Sequence, residues 1–239
     1  MKPRLGIIVF ARMNSSRLPG KMLMELGGRT LLERVIERAR CVHPDVVLAT
    51  SQQPGDDVLA ERASQLEIPV VRGGLDDVMA RAVHAAREHE LDAFARLCGD
   101  RPLFPLDDMR RGLTLMKEAI ASGRKIDLVT THAPRPVPAG LTTEIIRTGA
   151  LADARLQTDE PRDLEHVTTW FYDHPEHCSI EHLKTRMRDF AGLHFSIDQI
   201  EDLQRIGKVF DKQPEIDLTV ERAASFLAPV RSNVNHADA

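Results

Sequence analysis

The order of apolar and polar positions changes character about halfway along the chain. Leu5–Phe10 (LGIIVF) is an unbroken apolar run rich in β-branched residues, with Pro3 before it and a polar loop after it. This predicts a strand buried on both faces of a parallel sheet. The loop over 11–28 holds Pro19, Gly20, Gly27 and Gly28, which resist helix. Thr30 then stands three residues before Glu33 as a capping box, and Leu31, Leu32, Val35, Ile36 and Ala39 follow at helical spacing. The alternation repeats: strands over 46–49, 68–71, 93–98 and 126–130, helices over 56–66, 76–89 and 106–122. Adjacent aspartates at 76 and 77 suit the positive end of a helix dipole. Strand and helix in turn predict an α/β fold, a mostly parallel twisted sheet with helices on both faces.

After Thr131 the rhythm breaks. Pro134, Pro136 and Pro138 make an extended loop of 132–140. Strands follow over 141–146, 177–183 and 193–197, with helices over 163–173 and 200–210. Residues 132–188 read as an inserted arm, after which the chain returns to the sheet. One domain over 1–230 and a polar, flexible tail over 231–239 are the expected organisation.

Composition narrows the class without naming a reaction. The chain has 239 residues, 42% of them hydrophobic and 28% charged, as expected of a globular domain with a proper core. A formal net charge of -4 argues against a general nucleic-acid binder. Cys41, Cys98 and Cys178 form no CxxC pair, which favours reduced thiols in a cytoplasmic protein. No stretch approaches the ~20 apolar residues needed to cross a bilayer.

Candidate chemistry gathers in the loop after the first strand, Ala11-Arg12-Met13-Asn14-Ser15-Ser16-Arg17-Leu18-Pro19-Gly20-Lys21. Three cations, two hydroxyls and a glycine at the carboxyl end of a parallel strand suit a polyphosphate. The loop is neither a Walker A sequence nor a GxGxxG fingerprint. Two remote acids, Asp100 and Asp198, each follow a predicted strand and so fall at the same edge of the sheet. Taken singly, each reads as a turn residue or a helix cap. Together they have the donor chemistry that Mg²⁺ takes alongside phosphate oxygens.

ARMNSSRLPGK resembles the ARxxSxRLPGK signature of the cytidylyltransferases that make CMP-activated sugar acids, the 3-deoxy-manno-octulosonate and acylneuraminate enzymes among them. The spore-coat polysaccharide F-type branch is the nearest in pattern. VVLATS (46–51), VVRGGLDDVMAR (70–81), RLCGDRPLF (96–104), EHVT (165–168) and SIDQIEDL (196–203) are similar to further segments of that family. The resemblance implies a nucleotide-diphospho-sugar-transferase-like, Rossmann-like fold with a small dimerisation arm, hence a homodimer. It also implies CTP and Mg²⁺ as nucleotide and metal, an acidic sugar as acceptor, and a place in surface glycan synthesis.

The same resemblance assigns roles. Arg12 and Lys21 stabilise charge on the triphosphate with help from Arg17, and Ser15 and Ser16 complete the cradle. Asp100 and Asp198 hold the metal, which makes Asp100 part of the catalytic set. Backbone near Ala11 and the segment Thr50-Ser51 read the base, while Arg72 and Asp77 are further nucleotide candidates. The acceptor candidates are Gly140, Glu144, Glu165 and His166. Where relatives have a DGLDTE-like stretch, this chain has Ala139-Gly140-Leu141-Thr142-Thr143-Glu144, and Arg101 follows Gly99-Asp100. An added cation and two missing carboxylates point to a strongly anionic acceptor, carboxylated or phosphonate-bearing. Left open are a nucleotidyltransferase using another base, a glycosyltransferase using a finished nucleotide sugar, and a catalytically silent nucleotide-binding protein. His174, His177 and His182 match no zinc spacing and read as surface or interface residues. Trp170, Phe171 and Tyr172 read as core or interface.

Overall fold

A computed structural model describes residues 2–132 and 136–227. The expected tail over 231–239, Pro134 and the adjoining loop residues lie outside the described residues. Seven strands form one sheet: β1 (Leu5–Phe10), β2 (Val46–Ser51), β3 (Val70–Gly73), β4 (Ala93–Cys98), β5 (Leu128–Thr130), β6 (Glu144–Arg147) and β7 (Ile180–His182). Their spatial order is β3-β2-β1-β4-β6-β5-β7. β6 runs antiparallel to β4 and β5, and all other pairs are parallel. The helices that matter for the site are α1 (Leu31–Arg40), α2 (Asp57–Gln65), α3 (Val78–Glu88), α4 (Leu106–Ser122), α5 (Thr148–Arg155), α6 (Pro161–Glu165), α7 (Thr169–Asp173), α8 (Ile200–Lys212) and α9 (Val220–Ala224).

Each face of the sheet carries its own core. Leu5, Ile7 and Val9 pack with α1, α4 and α8, while Ile8 packs with α3, α5 and α7 on the opposite face. The unbroken apolar run of β1 therefore has the two-sided burial its sequence predicts. The capping box is present too: Glu33 N donates to Thr30 Oγ1 at 3.3 Å and Thr30 N to Glu33 Oε2 at 2.6 Å. Among the described residues no helix is long and apolar enough to cross a membrane.

The second half departs from the sequence reading. The segment 132–188 is not simply an added arm, because β6 sits inside the sheet between β4 and β5. Its Ile145 and Ile146 are fully buried, one in each core. A short antiparallel strand after a proline-rich loop carries too little periodicity to show this in sequence. The helix expected over 163–173 is two short helices, α6 and α7, with His166 between them in a non-helical conformation at φ -104°, ψ 57°. No strand forms over 193–197. That segment instead crosses the carboxyl edge of the sheet, where Phe195 N donates to Ala139 O at 2.8 Å and Ile197 N to Asp100 O at 2.9 Å.

Candidate active site

The loop after β1 folds back on itself before reaching Lys21. Ser15 N and Gly20 N both donate to Met13 O, at 3.0 and 2.9 Å. Met22 then anchors the loop against the turn after β4. A Cβ on Gly99 would stand 2.7 Å from Met22 Cε and 3.1 Å from Ala11 Cβ, so any larger residue would push Met22 aside. That approach puts Lys21, only 8% exposed, among the acids. Its Nζ donates to Ile197 O at 2.7 Å and to Asp100 Oδ2 at 3.0 Å, and it stands 4.0 Å from Asp198 Oδ1.

The two aspartates converge because 193–198 runs past the end of β4, held by the Ile197–Asp100 backbone bond. Asp202 fixes the turn by accepting from the N–H groups of Asp198 and Gln199, both at 3.1 Å. Asp198 Oδ1 accepts from Arg17 at 2.8 Å, and its Oδ2 accepts from Ser196 Oγ at 3.2 Å. His194 Nε2 lies 2.6 Å from Ser196 Oγ and 3.4 Å from Asp198 Oδ2. His194, Asp198 and Asp202 also come within metal-binding distance of one another. Asp202, however, is occupied by backbone N–H groups and by Arg205 at 3.0 Å. Asp100 and Asp198 both line the cleft and flank Lys21, and Asp198 also accepts from Arg17; carboxylates so placed have the donor chemistry that Mg²⁺ takes.

The surrounding cleft has a volume of about 350 Å³ and is lined by Arg12, Arg17, Lys21, Arg81 and Arg96 and by Asp100, Glu165 and Asp198. Ala11, Ser15, Ser16 and His166 line it as well. Ten of the candidates named from sequence thus share one space. Arg12 is paired across it with Glu165 at 2.8 Å, and both side chains are well exposed.

The remaining candidates are placed elsewhere. Glu144 is 3% exposed and does not open into the cleft; it lies behind Arg96, accepting from Arg96 at 2.7 Å, Thr168 at 2.8 Å and Tyr172 at 2.9 Å. Burial alone would raise the carboxyl pKa of Glu144, but Arg96, Arg101 and the Thr168 hydroxyl outweigh it, so it is held below the ordinary glutamate value. Gly140 has φ +91°, and a Cβ there would come 2.5 Å from the Phe195 carbonyl carbon, so it serves a close backbone crossing. Arg72 is tied to Ser51 O and Gln53 O, both at 2.9 Å, and to Asp57. Asp77 caps α3 through Ala80 N at 2.7 Å and pairs with Arg155 at 2.8 Å. Their structural bonds account for both, and neither lines the cleft. Thr50 is fully buried, with its hydroxyl unpartnered. Ser51 lines a separate cavity of about 460 Å³, whose wall includes Met13 and Asn14 of the same loop.

Arg81 and Arg96 were given no role in the sequence reading, although they end and begin the family-like segments 70–81 and 96–104. Each carries a signal in retrospect: a guanidinium inside a strand or helix whose neighbours are otherwise buried and apolar. Burial would lower the pKa of Arg96, but Cys98 and Glu144 more than offset it and the net shift is upward. Arg81 moves the other way, first by burial and then by repulsion from Arg12.

Several known proteins are similar to this chain in sequence or fold. The chain is 28% identical over 216 residues to the spore coat polysaccharide biosynthesis protein SpsF of Bacillus subtilis, covering 87% of each. A solved cytidylyltransferase from Leptospira borgpetersenii superposes with a TM-score of 0.86 at 25% identity, covering 93% of each chain. A CMP-2-keto-3-deoxy-manno-octonic acid synthetase complexed with CTP has the same fold, with a TM-score of 0.67 at 17% identity over 88% of this chain and 99% of that one. The cytidylyltransferase family model matches residues 6–224, nearly the whole domain that builds the cleft, and the chain belongs to that family of nucleotidyltransferases.

Proposed function

We propose that this enzyme transfers CMP from CTP to a hydroxyl of an acidic sugar, with release of pyrophosphate, in the synthesis of a surface glycan. The observation that carries this is Lys21 held between Asp100 and Asp198 in the same cleft as Arg12 and Arg17. The CTP in the synthetase of like fold and the polysaccharide role in the name of SpsF support the substrate class.

In this reading the acceptor oxygen forms a bond to the α-phosphorus, the bond from that phosphorus to the β-phosphate bridge breaks, and the hydroxyl proton is released. Lys21, Arg12 and Arg17 exchange their carboxylate partners for phosphate oxygens and offset the charge that builds on the leaving pyrophosphate. Ser15, Ser16 and the loop amides orient the chain of phosphates. Asp100 and Asp198 are the residues that would hold a divalent ion, which when bound supplies Lewis-acid polarisation of phosphate oxygens. Ser51 and the cavity beside Met13 suit the nucleoside, and the base there is read by packing and backbone groups.

Pyrophosphate release tests the proposal. Each of the four nucleoside triphosphates is incubated with Mg²⁺ and a panel of ulosonic and nonulosonic acids. Turnover with CTP and an acid supports the reading; preference for another base, or for neutral sugars, overturns it.

A further inference from the structure

The cleft's positive charges are matched with one exception. Arg12 pairs with Glu165, Arg17 with Asp198, Lys21 with Asp100 and Arg96 with Glu144, all at 3.0 Å or less. Arg81 has no carboxylate within ion-pair distance among the described residues. It is 4% exposed, donates only from Nη1 to Gly74 O at 2.7 Å, and leaves its buried Nε without an acceptor. Burial and repulsion from Arg12 outweigh Asp56 and Asp77, which favour its charge from farther off, and burying a guanidinium with an unmet donor is unfavourable. A site that retains one is completed by an incoming anion.

The side of the cleft narrows which anion. Lys21 enters from the face of the sheet where Ala11, Leu18, Met22 and Ile197 join the first core. Arg81 belongs to α3, whose Val78, Ala82 and Ala85 join the second core. Arg96 alternates along β4 with Phe94, which also lies in that second core. Its side chain is 13% exposed, and its buried Nε is likewise unpartnered. Lys21, Arg17 and the two aspartates therefore occupy one side, and two guanidiniums with unmet donors occupy the other with Glu165 and His166, while Arg12 reaches across to pair with Glu165.

Resting on the proposed transfer reaction, we propose that Arg81, with Arg96 lining the same cleft, is the subsite for the negatively charged group of the acceptor. Two planar forks suit a carboxylate or a phosphonate, each able to take paired N–H donors. Glu144 is then a positioning residue: it holds the Arg96 fork from behind and leaves its other edge toward the cleft.

Small anions test the subsite directly. Pyruvate, phosphonoacetate and neutral methyl pyruvate are titrated calorimetrically into the protein, with and without saturating CTP and Mg²⁺, using the wild type, Arg81→Met and Arg81→Lys. One or both anions are expected to bind the CTP-loaded wild type, and methyl pyruvate is not. Arg81→Met should weaken that binding at least tenfold while CTP affinity stays within twofold. Arg81→Lys keeps the charge but loses the fork, and should fall between; it carries the test if Arg81→Met does not fold. Which of pyruvate and phosphonoacetate binds more tightly separates a carboxylate from a phosphonate acceptor. The proposal is overturned if neither anion binds the wild type, if the folded variants bind them equally well, or if CTP affinity falls with the anion's. Failure of CTP to bind the wild type would instead end the proposed function, and the nucleotide-free arm would still read Arg81.

Discussion

Lys21 Nζ lies 3.0 Å from Asp100 Oδ2, although 79 residues separate the two in sequence. The contact depends on the bare backbone of Gly99 beneath Met22, and it brings the phosphate loop to the acid edge of the sheet. Lys21→Ala should lower kcat by roughly 10²–10³, the loss typical of removing one preorganised partner of developing charge. Steady-state pyrophosphate release measures this, and an unchanged rate would remove Lys21 from the mechanism.

Gly99→Ala should act on the same contact from below. The new methyl would meet Met22 Cε at 2.7 Å, inside normal contact distance. Overpacking of this kind costs about 1–3 kcal/mol. Thermal denaturation should show a lowered Tm, together with weaker CTP binding because the loop is displaced.

Asp100→Asn and Asp198→Asn should each raise the concentration of Mg²⁺ needed for half-maximal turnover, and the double variant should be inactive. A chelator should abolish wild-type turnover reversibly. A metal titration in which both variants match the wild type would place the ion elsewhere.

The Arg12–Glu165 pair is exposed, with 38% and 47% of the two side chains accessible, so it contributes at most about 1 kcal/mol. Glu165→Gln frees Arg12 for phosphate. The Kd for CTP should therefore fall by up to about fivefold at low salt, and the gain should shrink as salt screens the charges. Weaker CTP binding in Glu165→Gln would show that the glutamate helps hold the nucleotide.

Glu144 differs because it is enclosed. Leaving Arg96 without its partner in Glu144→Gln should cost about 3–5 kcal/mol of stability. The pH dependence follows from the carboxyl being held below its ordinary value of 4.5. The stabilisation is present above that value and is lost as pH falls through the lower folded pKa. Wild-type stability should drop across that acid range more steeply than that of Glu144→Gln, measured as urea midpoints against pH.

Much of the first half was legible in the residues. The run LGIIVF, the Thr30–Glu33 cap and the alternation of strand and helix are local signals, and local hydrogen bonds and periodic burial produced the expected elements. The density of cations after β1 likewise marked a loop that lines the cleft, and the motif in ARMNSSRLPGK pointed to the family. Glu144 and Gly140 show where that reach ends. A motif position records that a residue matters, and says nothing of whether it faces the ligand, supports another side chain or lets two backbones cross.

By itself, then, the sequence determined the α/β class, the cation-rich loop after β1 and the place of Asp100 just past β4, because each follows from neighbours within a few positions; the strand expected before Asp198 does not form. Only the tertiary structure decided that β6 enters the middle of the sheet, that Lys21 sits between Asp100 and Asp198, and that Arg81 lies buried with no carboxylate within ion-pair distance among the described residues. Those facts depend on packing between segments tens to hundreds of residues apart, where burial and charge balance are set by the whole fold.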